Sequence, residues 1–246
     1  MNTISGKTFL ISGAAKRIGA AIARGLHESG ANVIIHYRNS STEALQLAID
    51  LNNQRPESAY TLQADLNDLN KIKAIIKEIE SEHSSLDGLI NNASSYYATP
   101  FLEANSQDWD DLFNSNVRSA FFLTQACYQM LKKSNGSVIN LVDVNTHKPL
   151  PKHSVYCASK AALDMLTLSL AEELAPEVRV NAIAPGAILW SEDELKDDQF
   201  RQKRLANVPL ATKGHPDNIV NAVKYLLSAD YVTGQTIAVD GGLSLR

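Results

Sequence analysis

What most constrains this chain is a regular alternation, begun close to its N-terminus, of short β-rich apolar runs with longer amphipathic ones. The apolar runs predict strands at 8–12, 32–37, 59–63, 88–91, 137–142, 179–183 and 236–239. Apolar residues returning every three or four positions predict helices at 18–29, 42–53, 69–82, 108–132, 154–174 and 217–227. Gly30 is placed to end the first helix, and Asn67-Asp68 and Ser106 to cap later ones. Such an order buries its apolar faces as a parallel sheet covered on both sides, with right-handed crossovers. The expected fold is α/β: one domain over 1–246 on a doubly wound, seven-stranded parallel sheet with helices on both faces. The segment 187–210 lacks a clean period and is polar and charged around 191–198. It is read either as a substrate lid at the strand ends or as a solvated surface helix.

A length of 246 residues with 44% hydrophobic residues supplies ample core for one α/β domain. The net charge of −4 argues against a nucleic-acid or anionic-membrane partner, though not against an anionic cofactor in a local positive pocket. Cys127 and Cys157 make no disulfide framework and have no metal-ligand spacing, which fits a reducing cytosol. No signal peptide is visible, and no apolar stretch approaches the roughly 18–20 residues that cross a bilayer. A soluble, cytoplasmic protein is expected. His27, His36, His83, His147, His153 and His215 show no metal or triad spacing and read as structural or surface residues, and no metal is expected. Cys157 and Trp109 read as packing residues.

The first strand runs through Ser12-Gly13-Ala14-Ala15-Lys16-Arg17-Ile18-Gly19 into a helix. Gly13 permits the tight turn and Gly19 a close approach of helix to sheet. The helix N-terminus then offers N–H groups to a pyrophosphate. Arg17 stands where a further glycine is expected, able to reach phosphate oxygens and still face the substrate. The second strand ends His36-Tyr37-Arg38-Asn39-Ser40, with no acidic residue until Glu43. A ribose 2′-OH calls for a carboxylate there, whereas a guanidinium and a hydroxyl suit a 2′-phosphate, so the cofactor is read as NADPH. Asp65 and Leu66 are candidates to hold the adenine. Asn91-Asn92-Ala93-Ser94 falls at the carboxyl edge of the sheet.

Tyr156 and Lys160, at i and i+4 on one helix face, bring a phenol near an ammonium. The ammonium is expected to lower the phenol pKa, so that Tyr156 donates a proton as hydride arrives while Lys160 also holds the nicotinamide ribose.

With the Rossmann-type glycine turn, Asn91–Ser94, Asn116, Tyr156 with Lys160, 180–186 and 234–242, the chain resembles a short-chain dehydrogenase/reductase over essentially its whole length. The resemblance implies an Asn-Ser-Tyr-Lys tetrad, in which Asn116 holds a water that continues the relay from Lys160, and a homotetramer or dimer. The position of the family's serine, however, is Asp143. A carboxylate cannot donate to a carbonyl and would repel an alkoxide. It suits ring N–H and amino groups, or proton delivery to nitrogen. Asp143, Arg17, Ser94-Ser95-Tyr96 and the His-Tyr-x-x-Ser stretch at 36–40 together resemble the pteridine reductase branch, including dihydromonapterin-type enzymes.

That branch implies a cofactor site of Gly13, Arg17, Ile18, Tyr37, Arg38, Asn39, Ser40, Asp65, Leu66, Asn92, Ala93, Ser94, Tyr156, Lys160, Pro185, Gly186 and Ile188. Tyr96 would stack a flat pterin on the nicotinamide, where phenylalanine is commoner. Arg17 and Ser94 would bind its polar edge or the cofactor phosphates, Asp143 and Tyr156 its ring nitrogens, and Trp190 would wall the pocket. Pro185–Trp190 lacks the threonine common soon after Pro-Gly, which leaves the Ile188 backbone for the carboxamide. The expected function is NADPH-dependent reduction of a dihydropterin, of biopterin or folate type, to its tetrahydro form. The alternatives are a carbonyl reductase acting on something like a 3-oxoacyl thioester, and a non-catalytic NADPH-binding sensor.

Overall fold

The protein is described from a computed structural model covering residues 4–190, 195 and 197–246. Seven strands form one sheet: β1 (Thr8–Ile11), β2 (Asn32–Tyr37), β3 (Ala59–Gln63), β4 (Gly88–Asn91), β5 (Ser137–Leu141), β6 (Arg179–Pro185) and β7 (Thr236–Val239). Their order is β3-β2-β1-β4-β5-β6-β7, and every pairing is parallel. The direction of strand addition reverses between β1 and β4, which opens a crevice at the carboxyl ends of these strands.

Alternation along each strand sorts the core into two layers. Phe9, Ile11, Val33 and Ile35 face one side. There they meet α1 (Arg17–Glu28), α2 (Ser41–Gln54) and α8 (Pro216–Ser228) through Ile22, Leu26, Leu47, Leu51, Ile219 and Val223. Leu10, Ile34 and Leu89 face the other. They pack on α3 (Leu69–Glu82), α5 (Ser119–Ser134) and the C-terminal half of α6 (Ser154–Glu173). Each fully buried side chain of this kind stabilises the fold by roughly 1.5–3 kcal/mol, so the double layer holds the strand ends rigidly. No helix of the described residues is long and apolar enough to cross a membrane.

The helix expected at 108–132 is in fact three pieces. They are α4 (Ser106–Phe113), a π turn (Asn114–Arg118) and α5. Asn105, not Ser106, caps α4, accepting from Gln107 and Asp108 N–H groups in a capping box. Asp68 caps α3 as expected, through Asn70 N and Lys71 N. A short 3₁₀ turn (Val144–Thr146) follows β5, and α7 (Asp198–Ala206) lies within the 187–210 segment. The most polar part of that segment, residues 191–194 and 196, lies outside the described residues.

Candidate active site

A cleft of about 460 Å³ occupies the switch point. Its floor is a stitched junction between the ends of β1 and β4. Ser12 Oγ accepts from Asn92 N and Ala93 N at 2.9 and 3.0 Å, and Asn92 Nδ2 donates to the carbonyls of Ser12 and Gly13. Gly13 has φ +62°, and a Cβ there would lie 3.0 Å from Ala93 Cα. A Cβ on Gly19 would come within 2.5 Å of Gly13 O. The missing side chains thus let the turn close on the end of β4 and on the start of α1, the tight strand-to-helix packing that dinucleotide-binding turns share.

Arg17 occupies the left-handed region at φ 55°, where the sequence pattern called for glycine, at a cost of about 1–2 kcal/mol. It lines the cleft, and its guanidinium donates to Trp190 O and Leu189 O at 3.2 and 3.4 Å. It thus ties the glycine turn to the segment after β6.

His36, read from sequence as merely structural, also borders the cleft. Its Nδ1 accepts from Gly13 N at 3.2 Å and its Nε2 donates to Ala64 O at 3.1 Å. Burial lowers its pKa to about 4, against a smaller upward pull from that bond, so the ring is neutral and holds the turn in shape. No local pattern could have revealed this, because its partner is 23 residues earlier.

Around this turn, Ile18, Arg38, Asp65, Leu66, Asn92, Ala93, Ser94, Pro185, Gly186 and Ile188 line the cleft, joined by Lys16. Arg38 is exposed at the end of β2, and Glu43, the nearest acid, is taken by Lys16 at 2.7 Å. Three neighbours are placed differently. Tyr37 packs against the α1–α2–α8 core, because side chains along a strand point alternately to opposite faces. Asn39 and Ser40 stand outside the lining, Ser40 as the N-cap residue of α2 with no side-chain cap bond.

At the other end of the cleft Tyr156 Oη donates to Asp143 Oδ2 at 2.7 Å. Asp143 Oδ1 accepts from Asn145 N and Asn145 Nδ2 at 2.8 and 2.6 Å, which fixes the carboxylate. Lys160, 3% exposed, donates from Nζ to Leu141 O at 2.7 Å. Burial lowers its pKa to about 8, opposed by the Asp143 charge. The expected downward shift of the phenol is reversed. Burial first, and then the charge and hydrogen bond of Asp143, raise the Tyr156 pKa well above its ordinary value. Tyr156 is accordingly a neutral proton donor to the Asp143 carboxyl oxygen.

The π turn brings Asn116 to this end of the cleft. Its Oδ1 accepts from Ser95 N, Ser94 Oγ and Ser115 Oγ at 2.8–3.0 Å. Its Nδ2 donates to Ser95 O and to Ser159 Oγ. Both amide protons are spent on protein, and the amide ties the 94–95 loop to α6. A π turn inserts one residue into the helix and turns the side chain at that point.

Tyr96, 37% exposed, stacks on His153 with centroids 4.9 Å apart and planes at 14°, and meets Tyr156 edge-on at 4.9 Å. His153, another histidine not singled out from sequence, precedes α6 and bonds through Nδ1 to Pro151 O. Trp190 and, from α7, Arg204 complete the wall. Cys157 and Trp109 pack as expected, Cys157 with Leu112 and Val155, Trp109 stacked on Phe113 at 4.7 Å. Among the described residues no group of His, Cys, Asp or Glu is arranged to hold a metal.

This geometry has counterparts among known proteins. The family described as enoyl-(acyl carrier protein) reductase matches residues 13–244. A 3-oxoacyl-(acyl-carrier-protein) reductase FabG of Staphylococcus aureus is 37% identical over 241 residues, covering 96% of this chain and 98% of its own. Pteridine reductase 1 of Leishmania tarentolae is 35% identical, covering 96% of each chain. A gluconate 5-dehydrogenase of Burkholderia cenocepacia, solved with NADP and tartrate, superposes with a TM-score of 0.92 at 29% identity, over 98% of this chain and 96% of that one. With its glycine turn, its Tyr-Lys helix and this likeness along its length, the chain belongs to the short-chain dehydrogenase/reductase family of oxidoreductases.

Proposed function

We propose that this oxidoreductase uses NADPH to reduce a dihydropterin, of biopterin or folate type, to its tetrahydro form. The observation that carries the reading is the 2.7 Å bond from Tyr156 Oη to Asp143 Oδ2. A carboxylate with no proton to give is a poor partner for a ketone oxygen and a good acceptor for ring N–H and amino groups. When bound, NADPH supplies a hydride to the carbon of a ring C=N bond. Tyr156, held neutral, gives its proton to the adjacent ring nitrogen. Lys160 offers positive charge to the phenolate left behind, and Asp143 holds the polar edge of the ring. Arg17 ties the 189–190 wall to the glycine turn beneath the cofactor, and Tyr96 offers an aromatic face to the flat ring. The guanidinium of Arg38 at the end of β2, without a carboxylate of its own, favours the 2′-phosphate of NADPH over the hydroxyl of NADH. The solved relative bound to NADP and the pteridine reductase relative support the same reading.

A second reading, reduction of a 3-oxoacyl thioester, is favoured by the 37% identical relative. The experiment that separates them follows NADPH oxidation with 7,8-dihydrobiopterin and 7,8-dihydrofolate beside acetoacetyl thioester and a panel of ketones. The proposal expects turnover of the pteridines and little of the ketones, and Asp143→Ser to reverse that order. Good ketone turnover with none of either pteridine removes it.

A further inference from the structure

The cations on the cleft differ in what they already hold. Lys16 pairs with Glu43, Arg17 donates to the carbonyls of residues 189 and 190, and Lys160 donates to Leu141 O. Arg38 is exposed, at the adenosine end. Arg204 is different: it is half-buried, borders the cleft from α7, and has no hydrogen bond or ion pair among the described residues. A guanidinium partly withdrawn from water without a partner gives up hydration that nothing returns. Such a group in a binding cleft is therefore poised for an anion that arrives with a ligand.

Its place is fixed by packing. Leu205, the next residue, packs on the cluster of Val142, Val144, Leu163, Val208 and Leu243 behind the end of β5. Asn207 N and Val208 N bond back to the carbonyls of Arg204 and Leu205, and Leu210 N bonds to Gly241 O. The last turn of α7 is thus bolted to the body of the protein, which fixes the point from which the Arg204 side chain reaches the cleft.

Arg204 also belongs to the substrate end of the cleft. Burial raises the Cys157 thiol, with Asp143 acting in the same direction, and Arg204 is among the groups that oppose it. Its field therefore reaches the helix turn that carries Tyr156. The glycine turn read as the site of the cofactor's pyrophosphate lies at the start of α1, and the guanidinium suited to its 2′-phosphate is Arg38.

We infer that Arg204 is an anion subsite for the substrate's tail, so that the preferred substrate, on the pteridine reading above, carries a carboxylate or a phosphate on its side chain. The ring lies against Asp143, Tyr156 and Tyr96, and its appended anion meets the guanidinium in a two-pronged contact. A neutral polyol side chain leaves Arg204 unpaired and binds less tightly.

The test measures kcat/KM under saturating NADPH for three probes: 7,8-dihydrobiopterin (neutral tail), 7,8-dihydrofolate (carboxylate) and 7,8-dihydroneopterin phosphate. Each is compared in the wild type, Arg204→Met and Arg204→Lys. The ratio of charged to neutral substrate is expected to fall about 10- to 100-fold in Arg204→Met and to recover in part in Arg204→Lys. The probe whose ratio falls identifies the anion as carboxylate or phosphate. Ratios that do not move while dihydrobiopterin is turned over overturn the subsite and leave the pteridine reading standing. A raised Kd for NADPH with intact ratios also overturns it, assigning Arg204 to the cofactor. If the wild type reduces none of the three, the pteridine reading fails and the subsite fails with it.

Discussion

The phenol of Tyr156 donates to the carboxylate of Asp143 across 2.7 Å, a bond that joins the first turn of α6 to the residue just beyond the end of β5. Because burial and that carboxylate raise the phenol pKa, the proton stays on Tyr156 throughout the working pH range. Removing only the hydroxyl, in Tyr156→Phe, is expected to lower kcat on the reduced substrate by about 10²- to 10⁴-fold, the usual worth of a positioned proton donor. Steady-state kinetics with NADPH checks this. A kcat within threefold of the wild type would show that another group delivers the proton.

Lys160 lends itself to a stability measurement. Its folded pKa of about 8 lies below the 10.5 of an ordinary lysine, so between those values the unfolded chain binds a proton that the folded chain has released. Stability therefore rises with pH across that window, and below pH 8 the folded protein bears the full cost of a buried ammonium. Relative to Lys160→Met, the wild type should gain on the order of 3 kcal/mol between pH 7.5 and 10.5. Urea unfolding of the two proteins at both pH values reads the difference. Parallel behaviour would mean that the ammonium is not desolvated.

Tyr96 lines the cleft and stacks on His153, which makes the histidine its backing. Tyr96→Ala is expected to raise KM about tenfold, and His153→Ala a few-fold, with kcat less affected. In a double-mutant cycle the two should couple by about 0.5–1.5 kcal/mol. An undiminished effect of His153→Ala in the Tyr96→Ala background would show that the ring stands without its backing.

What was legible in the sequence followed from local pattern. The strands are continuous apolar runs, and Tyr156, Lys160 and Asp143 stand at fixed spacings, so the fold and the meeting of these three residues in one cleft could both be read. What was hidden depended on partners far along the chain. His36 acts on Gly13, His153 on Tyr96, and Arg204 reaches the cleft from a segment without a clear period. The π turn at Asn114–Arg118 was invisible because one inserted residue barely disturbs the apolar repeat that predicts a helix. The direction of the Tyr156 shift is hidden from the sequence for a similar reason. Spacing on a helix shows that an ammonium is near, but only the packed structure shows that the phenol is buried beside a carboxylate.

Gly25 of α1 marks where the helix layer behind the cofactor cleft is tightest. A Cβ built there would lie 2.3 Å from Val220 Cγ1 of α8, far inside contact distance. Helix propensity alone favours alanine over glycine at an interior position by about 1 kcal/mol. Overpacking a close helix crossing costs roughly 1–3 kcal/mol, and at 2.3 Å neither backbone can relieve the overlap cheaply. Packing is expected to win, so Gly25→Ala should destabilise the protein by up to about 2 kcal/mol. Val220→Ala removes the clashing methyl, and the double variant should then be more stable than the sum of the single changes. Thermal or urea unfolding of the four proteins gives the answer. A stabilised Gly25→Ala would mean that α1 and α8 stand further apart than their packing indicates.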